Sequence, residues 1–335
     1  MWVMGDVYAG RFELVDLVGS GAHGSVWRVW DHRDGGYLAG KVLSQADSVA
    51  IVRFFREQGL RFQHPHIVAP LGWVGEDDRV MFTMPLVRGG SLTTLLNDYG
   101  ALPQRWALAI TDQLLSALEV VHGAEVVHRD IKPHNILLEP GTQPHVRVSD
   151  FGTAVSVADD SPRLTRLHHV VGTPGYLASE AAEGADPDPL QDLYAVGVVL
   201  WQMLTGERPP RLGTPAVPVD LQDTALGGFL SRLLAPVGSR THSATEARRQ
   251  LRIVPAQAAH ADEPVEVFDQ VGALPEGWGP DGPTPAEPGP IATITPAAQE
   301  LIPARRAPRW PVAVALGVAA VGIVLLVVAG VLLFA

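Results

Sequence analysis

Of 25 basic residues in this chain, only Lys41 and Lys132 are lysine. An ammonium is a compact point charge, whereas the guanidinium carried by all the other basic residues is wide and planar. A chain that otherwise uses arginine and keeps lysine twice marks two places where a compact cation is wanted. Lys132 sits inside His128-Arg129-Asp130-Ile131-Lys132-Pro133-His134-Asn135. That run offers a carboxylate able to take a hydroxyl proton, an ammonium two residues on and a carboxamide oxygen five residues on. Further along, Asp150-Phe151-Gly152 follows the apolar Val146-Arg147-Val148 strand and supplies a second carboxylate. Asp150 and Asn135 together could hold Mg²⁺, a hard cation that prefers oxygen ligands.

Lys41 lies on a strand, Ala39-Gly40-Lys41-Val42, downstream of Gly19-Ser20-Gly21-Ala22-His23-Gly24-Ser25-Val26. A dinucleotide fingerprint needs a helix directly after its glycines. Here Val26-Trp27-Arg28-Val29-Trp30 reads as a strand, so the glycines belong to a hairpin turn. Such a turn can lie close over phosphate oxygens because no Cβ intervenes. Glu57, on the segment that follows, could pair with Lys41 and aim it; taken alone it is an unremarkable surface glutamate.

The elements that must position these groups follow from the hydrophobic pattern. From Tyr8 to Leu43 short strands alternate with turns, among them Asp34-Gly35-Gly36. Ser48 to Phe62 reads as a helix, then Leu71 to Trp73 and Val80 to Met84 as strands. After Gly90 the texture is helical: Trp106, Ile110, Leu114, Leu118 and Val121 recur at the helical period. Asp192 to Thr205 and Ala244 to Val254 read as further helices. The expected class is α+β, with a small β-rich lobe before a larger helical one.

Residues 255–309 carry eleven prolines in 55 residues and are expected to be a disordered linker. Val265 to Trp278 is less polar and could hold a short docking element, though a plain tether is the expectation there too. Residues 312–335 are 24 residues without a charge, against about 20 needed to span a bilayer core. Arg305, Arg306 and Arg309 precede that run, which by the positive-inside rule keeps the bulk of the chain cytoplasmic. The start of the chain lacks the pattern of a signal peptide, so the expectation is a single-pass C-terminal transmembrane anchor in the cell membrane.

Composition closes off other classes. The net charge of −11 argues against a nucleic-acid partner. The absence of cysteine removes disulfides, thiolate zinc sites and cysteine nucleophiles. His168-His169 has no further ligands at metal-binding spacing and reads as solvated loop.

In order and spacing, these pieces resemble the protein kinase family, and among its members the eukaryotic-like serine/threonine kinases of bacteria, several of which are membrane-tethered. The resemblance covers about Tyr8 to Val254. It implies a two-lobed kinase domain over 8–254, with a small lobe at 8–83, a hinge at 84–88 and a large lobe at 89–254. The implied cofactors are ATP and Mg²⁺. By this resemblance Gly19, Gly21 and Gly24 cover the phosphates, and Lys41 contacts the α- and β-phosphates and pairs with Glu57. Val18, Val26, Ala39 and Leu137 sandwich adenine, Met84 is the gatekeeper, and Val87 in the hinge supplies the amide donor. Asp130 accepts the substrate proton, Lys132 neutralises the moving phosphoryl group, and Asn135 and Asp150 bind Mg²⁺.

The same resemblance implies a buried Glu180–Arg240 pair, Asp192 capping the catalytic loop, and an activation loop from Thr153 to about Val171. Thr165 and Ser161 are its candidate phosphorylation sites, with Arg129 as the phosphate's partner. Lys132 and Gly172-Thr173-Pro174 fit Ser/Thr rather than Tyr acceptors. Implied partners are protein substrates, a membrane, and a second copy for trans-autophosphorylation. Two departures stand out: Ala178-Ser179-Glu180 in place of Ala-Pro-Glu, and Gly40 in place of a β-branched residue, which should weaken its strand. Two competing readings are a non-catalytic kinase-like scaffold and a small-molecule phosphotransferase. The complete set Lys41, Glu57, Asp130, Asn135 and Asp150 disfavours the first, and the Gly172 to Glu180 segment disfavours the second.

Overall fold

A computed structural model describes residues 3–21, 24–43, 62–76, 79–151, 154–156, 173–255 and 264–284. The described part of the small lobe is an antiparallel six-stranded sheet. Its strands are β1 (Val7–Tyr8), β2 (Phe12–Gly21), β3 (Gly24–Asp31), β4 (Tyr37–Leu43), β5 (Gly72–Glu76) and β6 (Arg79–Pro85), in spatial order β1-β2-β3-β4-β6-β5. Alternate residues of these strands close a small core of Tyr8, Phe12, Leu14, Val29, Val42 and Met81. The helix expected at 48–61 lies outside the described residues.

A Cβ on Gly40 would come within 2.8 Å of both Met81 Sδ and Val29 Cγ1. Glycine there makes room for Met81, which occupies the volume a branched side chain would need.

The large lobe is helical: α1 (Leu92–Tyr99), α2 (Gln104–Gly123), α3 (Ser179–Ala182), α4 (Pro189–Thr205), α5 (Ala225–Leu234) and α6 (Ala244–Leu251). Its short strands are β7 (Val126–Val127), β8 (Ile136–Leu138), β9 (Val146–Val148) and β10 (Val155–Ser156). Helix starts are marked chemically. Ser91, Asp188, Thr224 and Ser243 each cap the first turn of the following helix by accepting a backbone N–H. α4 has Pro189 in its first turn and stops at Gly206, whose left-handed backbone lets its N–H reach Gln202 O at 2.8 Å.

The core sits where α2, α4 and α5 meet, with Trp106, Ile110, Leu114, Leu193, Val196, Leu200, Phe229 and Leu233 all buried. Each such side chain contributes about 1.5–3 kcal/mol through removal from water. α4 is buried almost all round, which makes it a rigid post for the segment between β7 and β8.

The lobes are joined at the hinge after β6 and again beside β9. Val68 N donates to Val148 O (2.8 Å), and Val148 N donates to His66 O (2.9 Å). A third connection departs from the expected tether. Residues 264–284, including the hairpin β11 (Trp278–Gly279) and β12 (Gly282–Pro283), pack against both lobes, with Val265 and Val267 buried. Among the described residues no helix is long and apolar enough to cross a membrane; residues 312–335 lie outside them.

Candidate active site

The catalytic loop runs between β7 and β8, and backbone geometry sets its shape. Arg129 (φ 68°) and Asp150 (φ 62°) are both non-glycine residues in the left-handed region, a conformation that surrounding contacts must impose. At Arg129, Asp192 from the first turn of α4 supplies that constraint. Its carboxylate accepts from the backbone N–H of His128 and of Arg129, each at 2.9 Å, and from His122 Nε2 at 2.9 Å. Burial pushes this carboxyl up, but the His122 hydrogen bond and the neighbouring donors outweigh burial and hold it below the usual aspartate value.

His128 is fully buried. Its Nδ1 accepts from Asp130 N at 3.3 Å, so Nε2 carries the proton and donates to Ser149 O at 3.1 Å. Burial lowers its pKa and keeps the ring neutral. The ring meets Phe151 edge-on at 4.7 Å, and Phe151 stacks on Phe62 at 5.3 Å. A buried column thus ties the start of the catalytic loop to the residue after Asp150.

On this frame the chemistry-bearing groups converge. Asn135 Nδ2 donates to Asp130 Oδ2 at 2.8 Å and to the Asp130 carbonyl at 2.9 Å. Lys132 Nζ lies 2.8 Å from Asp130 Oδ2 and donates to Thr173 Oγ1 at 2.7 Å. Thr173 in turn donates to Asp130 Oδ1 at 3.1 Å. Asp130 is thereby held in a fixed rotamer with both oxygens engaged. From the opposite lobe, Lys41 Nζ reaches Asp150 Oδ1 at 2.6 Å, across 109 residues of sequence.

Asn135 and Asp150 are drawn together as well, since Ser149 N and Ser149 Oγ both bond to Asn135 O, at 2.9 and 3.0 Å. With its amide nitrogen committed to Asp130, Asn135 has its oxygen to offer a cation. An oxygen-only donor pair of this kind suits Mg²⁺.

The positions expected to face a nucleotide are placed as follows. Val26 pairs with Lys41, and Ala39 pairs with Met84 at the end of the sheet that leads into the hinge. Leu137 sits on β8 below, bridged to Ser91. Val87 is buried in the hinge segment. Val18 is 41% exposed, at the sheet's open end. Gly19 and Gly21 belong to β2; Gly21 faces Gly24 across the β2–β3 turn. Gly24 is required by its surroundings: its φ is 125°, and a Cβ would fall 2.1 Å from Val42 O. Glu57 lies outside the described residues, as do Gly152, Ser161 and Thr165. The expected Lys41–Glu57 pair is therefore not described, and the partner the structure gives Lys41 is Asp150.

Sequence reasoning did not assign Thr173 its contacts with Asp130 and Lys132, nor Ser149 and His122 their supporting roles. Spacing carries no signal for these long-range contacts. The architectural pair expected from the sequence is present: Arg240, 1% exposed, meets Glu180 at 2.6 Å and also donates to Leu190 O and Ala235 O.

Compared with known sequences, residues 12–220 match the family model described as the protein kinase domain. The chain belongs to the protein kinase family. This kinase-family chain is 37% identical over 226 residues to the serine/threonine-protein kinase PkaA of Streptomyces coelicolor, covering 62% of this chain and 41% of that protein. It is 37% identical over 216 residues to the serine/threonine-protein kinase PknA of Mycobacterium tuberculosis, covering 62% of this chain and 49% of that protein. With the serine/threonine-protein kinase PkaB of S. coelicolor it shares 32% identity over 289 residues, 79% of this chain and 68% of that protein. The kinase-family chain thus spans half or less of the length of PkaA and PknA.

Proposed function

We propose that this chain transfers the γ-phosphoryl group of Mg-ATP to Ser or Thr hydroxyls of proteins. The observation that carries this reading is the arrangement around Asp130: a carboxylate fixed by Asn135, with Lys132 and a threonine hydroxyl on it. Thr173 Oγ1 donates to Asp130 and receives from Lys132, which is the hydrogen-bonding environment an acceptor hydroxyl would need. In this role Asp130 orients the hydroxyl and takes its proton as the new P–O bond forms and the bond between the γ-phosphorus and the β-phosphate oxygen breaks to release ADP, and Lys132 neutralises charge on the phosphoryl oxygens. Lys41 fixes the nucleotide phosphates. Asn135 and Asp150 would hold a Mg²⁺, which would supply positive charge to offset that of the phosphates. Because the transition state is loose and its charge is spread, positioning and electrostatics by these residues provide most of the acceleration. The names of the relatives support a protein Ser/Thr acceptor over a small molecule.

The reading extends to regulation and place. The Thr153 to Val171 segment, with Thr165 and Ser161, would be autophosphorylated in trans by a second copy, and Arg129 would receive the phosphate. Residues 312–335 would anchor the chain in a membrane; the support is 24 uncharged residues after Arg305, Arg306 and Arg309. The deciding measurement is transfer from labelled ATP to a generic protein substrate and to the chain itself. Asp130→Asn should lose about 10²–10⁴-fold in rate with an unchanged melting temperature. Wild-type rates in a folded Asp130→Asn protein would refute the assignment.

A further inference from the structure

The segment 264–284 makes three sets of contacts in chain order. On the large lobe, Val267 and Gly141 exchange backbone hydrogen bonds at 2.8 and 2.9 Å, and Tyr99 Oη binds Glu266 through both its carbonyl (3.1 Å) and its N–H (3.2 Å). Val267 lies so close to Gly89 that a Cβ there would meet its Cγ1 at 2.5 Å. At the hinge, Gln270 N donates to Arg88 O at 2.7 Å, and Asp269 pairs with Arg88 at 2.7 Å. On the small lobe, Arg28 donates to the carbonyls of Gly272 and Ala273 at 3.1 and 3.2 Å while its other donors hold Asp16. Tyr37 Oη donates to Gly279 O, Trp278 packs on Tyr37, and Gly282 abuts Trp30 so tightly that a Cβ would meet its ring at 2.6 Å.

The path runs beside the nucleotide cleft. Side chains two apart on a strand share a face, and so do directly opposed residues. Arg28 therefore faces the same way as Val26, Ala39 and Lys41. Its guanidinium, 2% exposed as a residue, links that face to the strap's backbone. The far foot grips Gly89, Gly90 and Gly141, flanking β8 and Leu137. Both feet thus stand on the elements that would form the roof and floor of the adenine site.

We infer that residues 264–284 are a built-in strap that fixes the spacing of the two lobes and so sets the affinity for nucleotide. Arg28, Tyr37 and Trp278 are positioning residues in this role, and none belongs to the phosphate or metal set. The inference rests on the reading that the cleft takes a nucleotide. With the strap seated, the open arrangement of the lobes is disfavoured, so less of the binding free energy goes into closing them. Releasing the small-lobe foot lowers the closed fraction and weakens binding by the same factor.

The test compares the full-length wild type with Tyr37→Phe/Trp278→Ala, and with Val267→Asp at the other foot. Hydrogen exchange reports whether residues 264–284 are released. A fluorescent ADP analogue gives nucleotide affinity without turnover, and protein phosphorylation gives KM and kcat. The expected result is faster exchange across the strap, nucleotide Kd and ATP KM raised about fivefold, and kcat within about twofold of wild type. Unchanged or tighter nucleotide binding in either folded variant whose strap exchanges faster overturns the inference. So does a wild-type strap whose amides exchange without protection. A wild type that binds the analogue strap-dependently but phosphorylates no protein refutes the kinase reading and leaves the strap standing. If the double variant fails to fold, Val267→Asp carries the same comparison from the large-lobe side.

Discussion

Two groups of charged residues, one inside the large lobe and one facing the cleft between the lobes, are built in opposite ways. Arg240 and Asp192 are buried, each 1% exposed, and are surrounded by partners from fixed elements: Arg240 binds the partly open Glu180 and two carbonyls, and Asp192 accepts from three donors. Around Lys41–Asp150 and Lys132–Asp130 the contacts are equally short, but both lysines and Asp150 remain partly open to solvent, with side chains 17–25% exposed. A buried charge that loses its partner cannot rehydrate, whereas a cleft-facing one can. Within the first group Asp192 holds the loop at His128 and Arg129, and the second group, on the proposed function, would exchange its partners for phosphate, metal and hydroxyl. Stability and chemistry should separate cleanly between them.

The sharpest way to break this contrast is Glu180→Ala. It strands Arg240 in the core and should cost about 3–5 kcal/mol, read as a fall in the denaturant midpoint together with activity. If the protein keeps its stability, the pair is not structural. Next comes Lys41→Met. Phosphoryl transfer should fall about 10²–10³-fold, while stability changes by less than about 1 kcal/mol, because Asp150 can turn to water. A stability loss as large as that of Glu180→Ala would erase the distinction. Gly24→Ala is expected to be intermediate. Its Cβ would collide with Val42 O, and the left-handed φ adds strain, so about 1–3 kcal/mol is lost and ATP KM rises. Normal stability and KM would mean that this turn relaxes freely.

The smallest effect is in pH. Burial lowers the pKa of His128, His66 and His64 in the folded state. Below about pH 6.5 the unfolded chain takes up protons that the folded chain refuses, so stability declines as pH falls through that value. Asp192 and Glu180 act lower, because burial, which alone would raise them, is outweighed by His122 and by Arg240 respectively. Their contribution is present above about pH 4 and is lost as pH falls toward their depressed folded values. The melting temperature should thus decline as pH falls from about 7.5 to about 5 through the histidines alone. A flat profile there would mean that the histidines are not buried neutral.

Much of this was legible before any coordinates. Strands β2, β3, β4 and β6 carry short apolar runs bounded by turn residues, and α2 repeats Trp106, Ile110, Leu114 and Leu118, so local pattern located them within a few residues. The helix α5 was not singled out. Its two glycines, Gly227 and Gly228, lower helix propensity, yet a Cβ on Gly227 would fall 1.8 Å from Leu221 O. Tertiary packing requires there what propensity argues against. The strap was misread for a related reason. Its prolines and glycines predict a tether, and its anchors are largely backbone carbonyls taken up by Arg28 and Tyr37. Every residue has a carbonyl, so such a contact leaves no trace in composition.

By itself the sequence determined which chemical groups exist and in what order: two lysines in a chain of arginines, the carboxylates at 130 and 150, the carboxamide at 135, and the glycine turn before them. These are local patterns, fixed by spacing along a strand or loop. Only the tertiary structure decided that Lys41 meets Asp150, that Thr173 lies on Asp130, and that residues 264–284 return to grip both lobes. Those contacts join points far apart in the chain. Which distant groups meet depends on how the whole core closes, and no short-range pattern encodes that.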